Sequence, residues 1–251
     1  MLRAVIHKLL DHLYLIDDAN ESTCYVICGS ECAMVIDTAN GRENLLDVVR
    51  SITPLPLIVV NTHGHCDHIY GNVFFDEAWM HAEDHALSRE HFGFAQEWMQ
   101  PLGLRPCPVR SLEIGHVFDL GGLKLEVISL RGHTPGSIGL LDRQDRILFS
   151  GDGLNTHLWM QLDNSSSIAQ LRQTLADLKQ KHGHAFDYVL TGHDKGFREK
   201  AILDLVLAGC DELLHSKREK DTPYHYFGGE CLQHPLGDIP GQCIVYSEDK
   251  L

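Results

Sequence analysis

The chain has 251 residues, enough for one large domain or two small ones, with 43% hydrophobic and 22% charged residues as in ordinary globular proteins. A formal net charge of -14 argues against a nucleic-acid binder, and no apolar run is long enough to span a bilayer. The first residues lack the core and cleavage site of a signal peptide, and the eight cysteines include no CxxC pair, which predicts a cytoplasmic protein with reduced thiols.

Residues 1–8 alternate like a strand, and residues 13–16 form a second apolar run. Residues 24–28 and 32–36 flank Gly29-Ser30, a hairpin signal. Cys24, Cys28 and Cys32 are spaced by four across it, a pattern better suited to core packing than to a metal. Asp37 then closes a strand and is a candidate support for a metal ligand. Residues 42–52 carry Leu45, Leu46, Val48, Val49 and Ile52 at helical spacing, and Pro54 and Pro56 end the helix.

Residues 57–61 read as a buried strand, and Thr62-His63-Gly64-His65-Cys66-Asp67-His68 follows at its carboxyl end. Imidazole and carboxylate are the usual ligands of zinc and similar divalent ions. In an extended segment His63, His65 and Asp67 would point one way, with His68 pointing elsewhere toward a second ion. Four such groups are too many for one catalytic metal with an open position, so two metals are the economical reading. A helix is expected from Asp67 or His68.

Residues 79–81 read as a strand and 83–100 as a helix carrying Phe92, Phe94, Trp98 and Met99, before Pro101, Pro106 and Pro108 break the chain. This insertion, near 76–111, could wall or cover a pocket. His81, His85, His91 and His116 read as surface or core residues. A second hairpin, 117–120 and 123–128, surrounds Gly121-Gly122. Arg131-Gly132-His133-Thr134-Pro135-Gly136-Ser137 is a tight turn that presents His133. Strands at 138–141 and 146–149 lead to Ser150-Gly151-Asp152-Gly153. A helix at 165–182 can be capped by Ser165, Ser166 or Ser167. A strand at 186–190 leads to Thr191-Gly192-His193-Asp194, and a helix covers 199–215. The C-terminal extension, near 217–251, holds Tyr224 to Phe227, either a flap over a cleft or a satellite core. The repeated order of strands, ligand loop and helix predicts two αβ halves with a site between their strand ends.

These four ligand motifs, in this order, resemble the metallo-β-lactamase superfamily over most of residues 10–200. The resemblance implies an α/β (α+β) fold, a four-layer αββα sandwich formed as one domain over residues 1–251. It further implies two divalent ions: His63, His65 and His133 on the first, Asp67, His68 and His193 on the second, Asp152 bridging both. Zinc suits these donors, and iron or manganese accept the same set. A hydroxide held between the ions would be the nucleophile, with Asp67 as a catalytic carboxylate that steadies it.

That constellation points to hydrolysis of a small ester-like substrate, thioester or lactone first. A mononuclear iron sulfur dioxygenase, a metal-dependent phosphodiesterase and a non-catalytic binding module are the alternatives. Glyoxalase II is similar in its metal motifs and length, but the loop after Asp152 lacks that enzyme's glutathione-binding segment. His157, Trp159 and Tyr224 are the expected pocket residues.

Overall fold

The computed structural model describes residues 4–227 and 229–251. The expected N-terminal alternation therefore falls partly on residues 1–3, outside the described residues, as does Gly228 of the tail.

The first half forms β1 (Val5–Lys8), β2 (Leu13–Asp18), β3 (Ser22–Cys28), β4 (Ala33–Ile36), α1 (Leu45–Ile52), β5 (Leu57–Val60), α2 (Cys66–Ile69), β6 (Ala78–His81), α3 (His85–Phe94), α4 (Gln96–Met99) and β7 (Val109–Leu112). Its seven strands make one sheet in sequence order. The second half forms β8 (Val117–Asp119), β9 (Lys124–Ser129), β10 (Ile138–Asp142), β11 (Ile147–Gly151), β12 (His157–Trp159), α5 (Ile168–His182), β13 (Tyr188–Thr191), β14 (Arg198–Glu199) and α6 (Ala201–Leu214). Its main sheet runs β14-β13-β11-β10-β9-β8. The tail adds β15 (Thr222–Tyr226), β16 (Gly229–Pro235) and β17 (Cys243–Tyr246), which join β12 in a third sheet ordered β12-β17-β16-β15.

Period-two alternation explains the layering. Leu13, Leu15, Tyr25, Ile27, Met34 and Ile36 of the first sheet meet Leu125, Val127, Ile138, Leu140, Ile147 and Phe149 of the second in a shared core. The alternate residues Cys24, Val26, Ala33 and Val35 turn outward onto Leu45 and Val49 of α1. Leu141, Leu148 and Val189 turn outward from the second sheet onto α5 and α6. Helix, sheet, sheet and helix are thus stacked in four layers, as the family resemblance implied. No helix among the described residues is long and apolar enough to cross a membrane.

Three local expectations need correction. The helix expected over 83–100 divides at Ala95, so that Ala95 and Met99 are buried while Phe94 is left 70% exposed. The serine cap of α5 is Ser167, whose hydroxyl accepts from Gln170 N at 3.2 Å, and the helix proper starts at Ile168. The Gly- and Pro-punctuated tail is a sheet. Its apolar side, including Leu236, Ile244 and Tyr246, packs into the core beneath α6.

Candidate metal centre

Every ligand candidate sits where a strand ends. The parallel pairs β4–β5 and β11–β13 bring Asp37, the 62–68 segment, Asp152 and His193 to one edge of the sandwich. The 131–137 turn supplies His133 beside them, anchored where Ile138 N donates to Thr62 O at 2.9 Å. Glycine is required at two of these ends. A Cβ on Gly192 would lie 2.4 Å from Asp152 Oδ1 and 2.5 Å from His68 Cε1. Gly151 has φ +50°, and a Cβ there would strike the Thr62 hydroxyl.

The side chains converge in two trios, each with its donor atoms within 4.8 Å of one another: His63, His65 and His133, then Asp67, His68 and His193. In the first, His65 Nδ1 lies 2.8 Å from His133 Nε2. In the second, Asp67 Oδ2 lies 3.3 Å from His68 Nε2 and 3.6 Å from His193 Nε2. Asp152 Oδ2 stands between them, 3.0 Å from His193 Nε2 and 3.7 Å from both His68 Nε2 and His133 Nε2. An extended chain through residue 67 would have put Asp67 with His63 and His65. Helix α2 begins at Cys66 instead, and its turn swings Asp67 round to His68.

The outer contacts fix which nitrogen of each ring faces inward. His68 Nδ1 meets Asp37 Oδ2 at 3.0 Å, His133 Nδ1 meets Trp159 O at 2.6 Å, and His193 Nδ1 meets Glu21 O at 2.6 Å. His63 Nδ1 meets the Thr62 hydroxyl at 3.1 Å, and that hydroxyl donates to Asp37 Oδ2 at 2.8 Å. An oxygen acceptor at Nδ1 holds a proton there and turns Nε2 toward the centre. His65 is turned the other way, its Nε2 facing the Asn164 side-chain amide at 3.1 Å. His63 Nε2 and His68 Nε2 are buried with no hydrogen-bond partner. Buried polar atoms are rarely left so, and these two point into the same small space as the carboxylates. The donor set therefore fits divalent cations.

Electrostatics differ between the trios. Burial, aided by neighbouring imidazoles, pushes His63 and His65 well below the usual histidine range. Burial opposes charge on His68 and His193 as well. The carboxylates win there, with Asp67, Asp152 and Asp37 lifting His68 well above the usual range and Asp152 raising His193 to about 9. Burial likewise works against ionising Asp67 and Asp152, and His68 and His193 overcome it and hold both carboxyls low.

Asp37 does more than close a strand, since its other oxygen accepts from Thr62 N at 2.7 Å. Asp84 was not legible in the sequence. It is fully buried and reaches across the site, accepting from Gly64 N at 2.9 Å, Gly136 N at 2.7 Å and the Thr134 hydroxyl at 2.6 Å. One carboxylate thus ties the 62–68 segment to the His133 turn. Its place before α3 resembles an ordinary helix cap, and no local pattern distinguishes the two. Asn164 and His91 were likewise missed as neighbours of His65. Of the expected pocket residues, Trp159 reaches the centre through its carbonyl on His133. Tyr224 packs on His157 and Trp159 at ring-centroid distances of 5.4 and 6.1 Å. Cys66 and the trio Cys24, Cys28 and Cys32 belong to no metal-competent cluster among the described residues.

The sequence profile of the metallo-beta-lactamase superfamily matches residues 17–193. The chain is 32% identical over 218 residues to the acyl-coenzyme A thioesterase MBLAC2 of Gallus gallus, covering 75% of this chain and 78% of that one. It is 26% identical over 194 residues to the hydroxyacylglutathione hydrolase GloC of Haemophilus influenzae, covering 70% and 91%. Among solved structures, a metallo-beta-lactamase from Pontibacter korlensis shares the fold, with a TM-score of 0.64, 18% identity, and 83% and 99% of the two chains covered. Motif order, layering and the histidine-rich edge agree with these likenesses, and the chain belongs to the metallo-beta-lactamase superfamily as a metal-dependent hydrolase.

Proposed function

We propose that the chain is a dinuclear hydrolase of acyl thioesters. The observation that carries this reading is the position of Asp152 Oδ2, within 3.7 Å of donors from both trios. On this reading His63, His65 and His133 hold one ion, Asp67, His68 and His193 hold the other, and Asp152 is shared. Zinc suits the nitrogen and oxygen donors best, with iron or manganese as substitutes. Bound ions would supply Lewis acidity and acidify a water to near neutral pH.

The protein's own groups do the rest. Asp67 stays ionised beside His68 and His193 and accepts a hydrogen bond from the attacking water, orienting it toward the acyl carbon. A thiol is acidic enough, at about 8.5, to depart as the thiolate, so the leaving group needs no strong acid. That favours a thioester over an amide, and the acyl-coenzyme A thioesterase among the relatives supports the same choice. His157, Trp159 and Tyr224 would receive the acyl portion. Eight unpaired cysteines suit a reducing compartment, which supports a cytoplasmic enzyme.

The test is thiol release from acyl-coenzyme A, beside lactone and phosphodiester controls, with protein reconstituted in zinc. Faster turnover of the thioester is expected. Turnover confined to the lactone or the phosphodiester would replace the thioester reading.

A further inference from the structure

Helix α3 lies between β6 and β7, and Asp84 at its start is bonded to both ligand loops. The helix is therefore a fixed part of the centre's wall. On its second turn, His91 stands beside the first trio, with its ring centroid 5.3 Å from that of His65. Its backbone is held as well, since the Tyr70 hydroxyl donates to His91 O at 2.9 Å.

The ring is oriented by one contact. Cys66 N donates to His91 Nδ1 at 3.0 Å. A backbone N–H can only donate, so Nδ1 must offer a lone pair and the ring proton must sit on Nε2. Unlike His63 Nε2 and His68 Nε2, His91 Nε2 is not among the sealed, unpartnered atoms, and no described residue hydrogen-bonds to it. A donor of fixed direction, belonging to no ligand trio, thus stands on the ring beside His65.

We propose that His91 Nε2–H is a catalytic hydrogen-bond donor to the substrate's carbonyl oxygen, strengthening as negative charge gathers there. The proposal rests on the thioester-hydrolase reading for its substrate. Its chemistry is that of an oxyanion-stabilising donor, which gains most in the transition state.

Two substitutions separate this role from simple bracing. His91→Asn places an amide oxygen near Nδ1, keeping the Cys66 contact, and deletes the outer donor. His91→Gln places an amide N–H near Nε2 and gives up the inner acceptor. The expected result for H91N is a fall of about 10²-fold in kcat/KM, carried by kcat, with metal content unchanged. H91Q should recover most of that loss. Unchanged activity in H91N with a damaged H91Q would overturn the proposal and leave His91 a brace for α2. Nitrogen-15 NMR of the ring in metal-free protein gives a readout independent of turnover, with a proton on Nε2 expected. A proton on Nδ1 overturns the proposal whatever the substrate. A wild-type protein that cleaves no thioester counts against the function reading alone, and the tautomer then decides the inference.

Discussion

Asp152 lies between the two candidate trios, which sit in different surroundings. His63, His65 and His133 are all imidazole and only 1%, 6% and 2% exposed. In the other trio the side chains of Asp67 and His193 are 28% and 34% exposed, and carboxylates crowd its histidines. Burial disfavours a proton on His63 and His65, whereas nearby carboxylates favour one on His68 and His193, so an ion at the outer trio would have to displace protons. On the two-ion reading, the inner trio would retain its ion, and the outer would exchange one and admit substrate.

The largest effect should come from removing the carboxylate between the trios. Asp152→Ala is expected to lower kcat/KM by about 10³-fold or more, roughly 4 kcal/mol of transition-state stabilisation. Metal analysis should show the loss of both sites' tight binding. An Asp152→Ala protein that still holds its full metal complement would break the idea of a shared carboxylate.

Proton release sharpens the contrast. Against burial, the neighbouring carboxylates raise both His68 and His193, so metal must compete with protons for their Nε2 atoms. Outer-trio affinity should fall as pH drops below the His193 value, by about 10-fold per pH unit for each proton the ion must displace. Inner-trio affinity should vary far less across the same range, since burial disfavours a proton on His63 and His65. Calorimetry in buffers of different ionisation enthalpy counts the protons directly. Equal proton release at both sites would erase the distinction.

Asp37→Asn tests the support behind the trios. Asp37 orients His68 directly and reaches His63 only through Thr62. Metal affinity at the outer trio should weaken by roughly 10–100-fold, as for other partners of ligating histidines, with a smaller loss at the inner one. The smallest effect is expected at Trp159. Trp159→Ala removes the ring that packs on Tyr224 and Tyr226 at 6.1 and 5.8 Å while leaving the carbonyl that holds His133. It should raise KM for long-chain acyl thioesters by about 10-fold, equivalent to one or two buried methylenes, and leave metal content intact. A chain-length series measures this.

The loops that converge at the candidate centre were legible because their chemistry is local. His63, His65, Asp67 and His68 fall within six residues after an apolar strand, and glycines mark the turns at His133, Asp152 and His193. The strands of the two large sheets announced themselves by alternation, and α1 by its apolar stripe. What could not be read depends on contacts between distant segments. Asp84 touches residues 20, 50 and 52 positions away. The third sheet pairs β12 with β17 across most of the second half, and its strands β15 and β16 are part-exposed and carry only a weak period. The helical start at Cys66, which decides the company Asp67 keeps, replaced an extended chain because the ligand loop closes at once into a turn: His68 N donates to His65 O at 3.0 Å.

The most direct test of the two-ion account is metal content per chain, by elemental analysis of protein purified without added metal and again after a brief chelator challenge. The account expects about two divalent ions per chain before the challenge and about one after it, the retained ion being that of the inner trio. A single iron per chain, unchanged by the chelator, would contradict it.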